Sequence, residues 1–321
     1  MGSSVKFLAT AIGSFPHDDP GRALDVIFSS IPDAVVWPQL PKLGLTEQME
    51  IQYSEGMPRA IIDADKGRMY FDTTGDYSDE FASFYENYMT AMEDGAGIDS
   101  MAIGEGYSRG IYALEDRLQS AGIKREFVKV QTTGPCSFAL TVVDENKRAI
   151  YYNEEFRDVI VKALALKSRW QIRKFSRYAG KVICFIDEPI LSAFGSSTYI
   201  SVKREDVVAN IAEVVDAIHM DGGLAGVHCC GNTDWSILID AGVDMVNLDA
   251  YGFGETIALY PGPVKTFLGR GGLIAWGIVP TSVAIRDETA NSLVARFDST
   301  VGVLSSKSGI PQADILNSSV I

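Results

Sequence analysis

The chain has 321 residues, 46% of them hydrophobic, and a net charge of −14. That length and apolar content suffice for one large core, while so acidic a surface repels phosphate backbones and anionic lipid, leaving nucleic acid and membranes as poor partners. No apolar stretch reaches the roughly 18–20 residues of a spanning helix, the start Met1-Gly2-Ser3-Ser4-Val5-Lys6 carries no long apolar signal segment, and four cysteines without framework spacing fit a reducing cytoplasm.

Short apolar runs alternate with segments of helical period. The first run, at 7–12, ends in Gly13-Ser14. Residues 17–97 read as an insertion of helices and a hairpin, with a turn at Trp37-Pro38-Gln39-Leu40-Pro41. The run at 98–103 ends in Gly104-Glu105, and the run at 127–131 in Thr132-Thr133-Gly134-Pro135. A helix follows Asn153, with Glu154 and Glu155 in its first turn, Arg173, Lys174 and Arg177 near its end and Gly180 as terminator. Its Phe156, Val159, Ile160, Ala163 and Leu164 form a core-facing stripe. The run at 182–186 ends in Asp187-Glu188-Pro189. A second helix spans about 203–220, and a third about 288–305. Further runs lie at 224–228, 245–248, 273–276 and 315–321. Eight runs separated by helical segments predict an α/β fold, one (β/α)8 TIM barrel over residues 1–321, its insertion lying over one end. The chain is expected to stop at or just after the last strand.

Each strand of a parallel barrel delivers its last residues to one face. The most informative segment is Val227-His228-Cys229-Cys230-Gly231-Asn232, which presents an imidazole and a thiol where a buried run stops. Asp249 ends the next run. Nitrogen, sulfur and carboxylate donors on adjacent strand ends describe an open zinc site of His228, Cys230 and Asp249. The plainer readings stand beside this. A lone His-x-Cys is more often structural, Asp187 either caps a helix or touches substrate, and Glu105 is a loop carboxylate or a ligand. Ser14 lies in an ordinary turn composition, and Glu188 supports a turn or a basic neighbour. Cys229 points away as a core thiol, and Cys136 and Cys184 read as core.

These strand ends resemble the catalytic domain of cobalamin-independent methionine synthase, in the superfamily it shares with uroporphyrinogen decarboxylase. The resemblance runs from Ile12-Gly13-Ser14-Phe15-Pro16 to the last run, strong at strand ends and weak between them. It implies that Ser14 holds an amino acid's carboxylate and that Glu105 and Asp187 hold its ammonium. It also implies a zinc ion on His228, Cys230 and Asp249, the last being Asp where the family has Glu. Two departures stand out. No cysteine follows Cys230 to match the family's distal ligand, and Trp276-Gly277-Ile278-Val279-Pro280-Thr281 lacks the family's proton-shuttling His. The chain has no room for the extra folate-binding half of the long enzymes and is similar to the short, single-barrel forms.

The expected activity is a zinc-dependent methyl transfer to a small-molecule thiol such as homocysteine, the donor being a corrinoid, supplied by a corrinoid protein. The rivals are a metal-free decarboxylase and a non-catalytic binding protein on the same barrel. Against the decarboxylase, Arg22 is the one Lys or Arg between Lys6 and Lys42, too few to receive several propionates.

Overall fold

The computed structural model describes residues 5–122 and 124–321. Residues 1–4, where no signal segment was read, lie outside the described residues. In chain order the strands are β1 (Ala34–Val36), β2 (Ala60–Asp63), β3 (Arg68–Phe71), β4 (Arg125–Thr133), β5 (Val143–Asp144), β6 (Ala179–Asp187), β7 (Leu224–Cys229), β8 (Met245–Leu248), β9 (Leu273–Trp276) and β10 (Ser319–Val320). The α-helices are α1 (Pro20–Ser30), α2 (Met49–Ser54), α3 (Ser78–Asp94), α4 (Arg109–Ala121), α5 (Pro135–Thr141), α6 (Glu154–Ser176), α7 (Arg204–Met220), α8 (Trp235–Asp240), α9 (Ala250–Phe253), α10 (Pro261–Gly269), α11 (Ala290–Ser308) and α12 (Gln312–Asn317). Among the described residues no helix is long and apolar enough to cross a membrane.

Seven strands pair in the order β1-β4-β6-β7-β8-β9-β10, every pair parallel. The sheet is curled and open. The expectation of a closed eight-stranded (β/α)8 TIM barrel is therefore corrected. The run at 7–12 is no strand: Phe7 sits at φ +54° and Gly13 at φ +135°, which breaks an extended ladder at both ends. This segment makes scattered bonds instead, from Phe7 N–H to Ser319 O (2.6 Å), from Ile321 N–H to Leu8 O (2.9 Å) and from Thr10 Oγ1 to Ala34 O (3.1 Å). The run at 98–103 is no strand either. Left-handed Gly95 and Gly97 lead into a 3-10 turn at Ile98–Met101, where Asp99 and Ser100 favour a turn. The run at 315–321 opens as the end of α12, leaving β10 only two residues. β1, in turn, comes from within the segment read as an insertion. A separate small sheet joins β2 and β3 as an antiparallel hairpin, closed through left-handed Gly67, with β5 parallel to β3.

Both faces of the main sheet are covered, as a parallel sheet requires. On the helix side Val128, Val130, Val182, Cys184, Ile186, Val227, Val246 and Leu248 pack with Phe156, Ile160 and Leu164 of α6 and Ile211 and Val215 of α7. Residues of the opposite parity line the concave face. There Phe127, Ile183, Phe185, Met245, Ala275 and Val320 form a second, smaller cluster with Leu8 and Ala34. α6 is nucleated as its sequence indicates. Asn153 caps the Phe156 N–H, acids occupy the first turn and bases the last. It ends at Ser176, however, and Gly180 lies inside β6. Gln171 of α6 ties its face to the sheet, accepting from Trp37 Nε1 (2.9 Å) and donating to Gln131 O (2.9 Å).

Candidate functional site

Strand register puts one row of residues across the concave face near the C-terminal strand ends. Thr133 pairs with Asp187, Asp187 with His228, His228 with Asn247, Asn247 with Ala275 and Ala275 with Val320. Because side chains alternate along a strand, this row stands above a second one of Gln131, Phe185, Gly226, Met245 and Leu273. Gly226 leaves room for the Phe185 ring, which would lie 2.4 Å from a Cβ there. The result is a polar layer on an apolar floor.

Asp187 Oδ1 is buried and has no hydrogen-bond partner. Burial pushes its carboxyl up, against the opposing charges of Lys129 and His228. Burial also holds the His228 imidazole below its ordinary value, against Asp187 and a hydrogen bond to Asn247. The ring is therefore neutral near pH 7. Its Nδ1 meets Asn247 Oδ1, and the Asn247 amide is oriented by donation from Nδ2 to Ala275 O (2.8 Å). With an oxygen facing Nδ1, the proton sits on Nδ1 and the lone pair on Nε2. His228 thus offers one ring nitrogen as a base or ligand.

Lys129 was not foreseen, because sequence proximity showed no cation beside Asp187. It lies on β4, on the same face as Thr133 and four residues ahead of it. It is fully buried, bonding Ile12 O and Gln131 Oε1, with its ammonium 5.0 Å from the centre of the Phe185 ring. Burial pulls its pKa down to about 8. An apolar-run lysine at the concave parity of β4 was the signal available in the sequence.

The remaining predicted residues divide. Ser14 is exposed, its Oγ donating to Gln39 Oε1 (2.7 Å). Its turn is pressed against Gln131, since a Cβ on Gly13 would come within 2.5 Å of the Gln131 amide. Glu105 lies exposed in a turn, follows no strand and makes no hydrogen bond or ion pair among the described residues. Nearby it is Glu55 that is engaged, accepting from Gly104 N–H (2.6 Å). Cys230 is exposed beyond the end of β7, whereas Cys229 is a core thiol. Asp249 caps α9, its Oδ1 accepting from Gly252 N–H (2.9 Å). Capping, one alternative for Asp187, is thus the role of Asp249. Glu188 meets no basic group. It accepts from Cys136 N–H (2.9 Å), Ser137 N–H (2.7 Å) and Ser137 Oγ (2.7 Å), anchoring the start of α5.

Among the described residues no group of three or more His, Cys, Asp or Glu side chains is placed to hold a metal ion. His228 has the chemistry of a ligand, with a carboxamide fixing its far nitrogen. Asp249 lies near enough for its charge to act on the His228 imidazole, but one of its oxygens is taken by the cap, and with Cys230 the two form no such group. As placed, the three do not fit a shared zinc ion.

No family model matches the chain, and no curated protein matches it.

Proposed function

We propose that the chain is a methyltransferase that places a methyl group on the thiol of a small amino acid, homocysteine in the first instance, with a methylated corrinoid as donor. The observation that carries the reading is a neutral His228 with a free Nε2 lone pair, next in register to Asp187, whose Oδ1 has no partner. An ammonium group would satisfy that oxygen, and the apolar floor suits a short aliphatic chain. The strand-end resemblance to methionine synthase supports the same assignment.

In this reading Asp187 orients the ammonium and His228 Nε2 takes the thiol proton. The thiolate attacks the methyl carbon, a sulfur–carbon bond forms, and the carbon–cobalt bond breaks with its electron pair remaining on cobalt. No proton is needed by that leaving group. A folate donor differs, since its departing nitrogen needs a positioned acid, typically worth about 100- to 10,000-fold, and residues 276–281 contain no His.

Methyl transfer to homocysteine is expected with methylcobalamin or a methylated corrinoid protein and not with methyl-tetrahydrofolate. Turnover with the folate in the absence of corrinoid overturns the donor assignment, and no transfer from either removes the reading. Zinc is a separate arm of the test. About one ion per chain under reducing conditions, absent from His228→Ala, would mean that Asp249 leaves its cap to join His228 and Cys230. A metal-free, active protein leaves His228 as the base.

A further inference from the structure

Two buried polar atoms in the site row lack any partner among the described residues, and they belong to register neighbours. They are Thr133 Oγ1 on β4 and Asp187 Oδ1 on β6. Thr133 is 1% exposed, and the two strands are locked there by Gly134 N–H donating to Asp187 O (2.8 Å). Buried hydroxyls and carboxylates normally find partners, so an adjacent unsatisfied pair calls for one. The surroundings do not supply it. Lys129, the buried cation on the same face, gives its bonds to Ile12 O and Gln131 Oε1. His228 gives its Nδ1 to Asn247.

We infer that Thr133 and Asp187 together form a two-acceptor seat for a ligand's primary ammonium, and that Thr133 makes the site select unmethylated amines. This rests on the amino-acid thiol reading only for the rest of the ligand, since the seat itself concerns nitrogen alone. A primary ammonium has three N–H donors. One reaches the carboxylate and a second reaches the hydroxyl oxygen. A trimethylammonium group has none and would leave both atoms unsatisfied while adding methyl groups against them. Thr133 is thus a specificity-determining residue and takes no part in the bond changes.

The test is calorimetry and thermal denaturation on the full chain, comparing wild type with Thr133→Val and Thr133→Ser. Four probes are used: homocysteine, 4-sulfanylbutanoate, n-propylamine and n-propyltrimethylammonium. Valine keeps the shape of threonine and removes an unsatisfied buried hydroxyl, so the ligand-free variant is expected to melt at or above the wild-type temperature. Its affinity for homocysteine and for n-propylamine is expected to fall about 10- to 100-fold, the range for one hydrogen bond to a charged group. Its affinity for 4-sulfanylbutanoate, which has no ammonium, should not move, and Thr133→Ser should restore amine binding. Wild type should take n-propylamine at least tenfold tighter than the trimethylated cation, about one such hydrogen bond. Homocysteine bound equally by wild type and Thr133→Val overturns the seat while leaving the thiol reading intact. Thr133-dependent binding of n-propylamine without binding of homocysteine does the reverse. Failure of the wild type to bind either amine removes both.

Discussion

Replacing Glu188 by alanine is expected to cost about 3 kcal/mol or more of folding free energy, because three buried donors lose their acceptor at about 1–3 kcal/mol each. The chain's whole stability is expected to be only about 5–15 kcal/mol, so this is the most damaging single change predicted here. The cause is local and countable. Glu188 is fully buried and accepts from the Cys136 N–H, the Ser137 N–H and the Ser137 hydroxyl. Those two N–H groups open α5, where a helix has no internal acceptors of its own. Alanine leaves all three donors dry and a cavity beside them. Gly134 lies directly against the carboxylate and has no side chain to fill the space: a Cβ there would come within 2.1 Å of Glu188 Cδ. Urea denaturation measures the loss. A difference under 1 kcal/mol would show that water or another acceptor replaces the carboxylate.

The same carboxyl gives a pH dependence. Burial pushes Glu188 up to about 7 from an ordinary value of 4.5, even though its three donors pull the other way. The folded state therefore holds this proton more tightly than the unfolded state. Stability from the group is fully present below about 4.5 and is lost as pH rises through about 7. The window spans about 2.5 pH units, so the loss is about 3–4 kcal/mol, at about 1.4 kcal/mol per unit. Glu188→Gln carries no titrating proton, and its stability relative to wild type should improve by about that amount between pH 4.5 and 8. A constant difference across that range would mean that the three donors keep Glu188 ionised throughout.

The strands that carry the site were legible because they are buried on both faces. The runs at 127–131, 182–186, 224–228, 245–248 and 273–276 are predominantly apolar and fall within β4, β6, β7, β8 and β9. The same signal misled at 7–12, where only Leu8 is buried, and at 98–103, where Ile98, Met101 and Ile103 are buried without pairing as a strand. Composition alone does not reveal the positive φ at Phe7, or that Gly95 and Gly97 both turn left-handed. β1 was missed because Ala34, Val35 and Val36 are only three residues long and sit beside a Trp-Pro turn. In the site, strand-end position marked out Asp187 and His228, which are neighbours in register. The hydrogen-bond assignments were missed. That Asn247 rather than a carboxylate holds His228 depends on the register between β7 and β8, whereas the cap from Asp249 to Gly252 is local and was passed over because Asp249 was read as a ligand. Lys129 was passed over for a related reason. A lysine in an apolar run reads as an edge or a snorkelling residue, and only the curl of the sheet encloses it.

His228→Ala is expected to lower methyl transfer by about 100- to 10,000-fold, the usual contribution of a positioned general base. The effect should fall on kcat. In the proposed reading ammonium recognition falls to Asp187, so removing an imidazole that would contact only the reacting sulfur leaves KM within a few-fold. Asn247→Leu should do less, about 10- to 100-fold, because it removes the acceptor that fixes the ring tautomer while leaving the ring. What separates a base from a metal ligand is the response to pH. An alkyl thiol ionises near about 8.5 on its own. If His228 only accepts the thiol proton, the His228→Ala rate climbs tenfold per pH unit below that value, and the deficit against wild type shrinks as thiolate forms in solution. If instead His228 holds a zinc ion with Cys230 and Asp249, the variant loses the metal and the deficit persists at high pH, because free thiolate does not restore the ion. Rate against pH for wild type and His228→Ala, with metal content measured on the same samples, decides between the two. A wild-type-like rate in His228→Ala at pH 7 would remove His228 from the chemistry altogether.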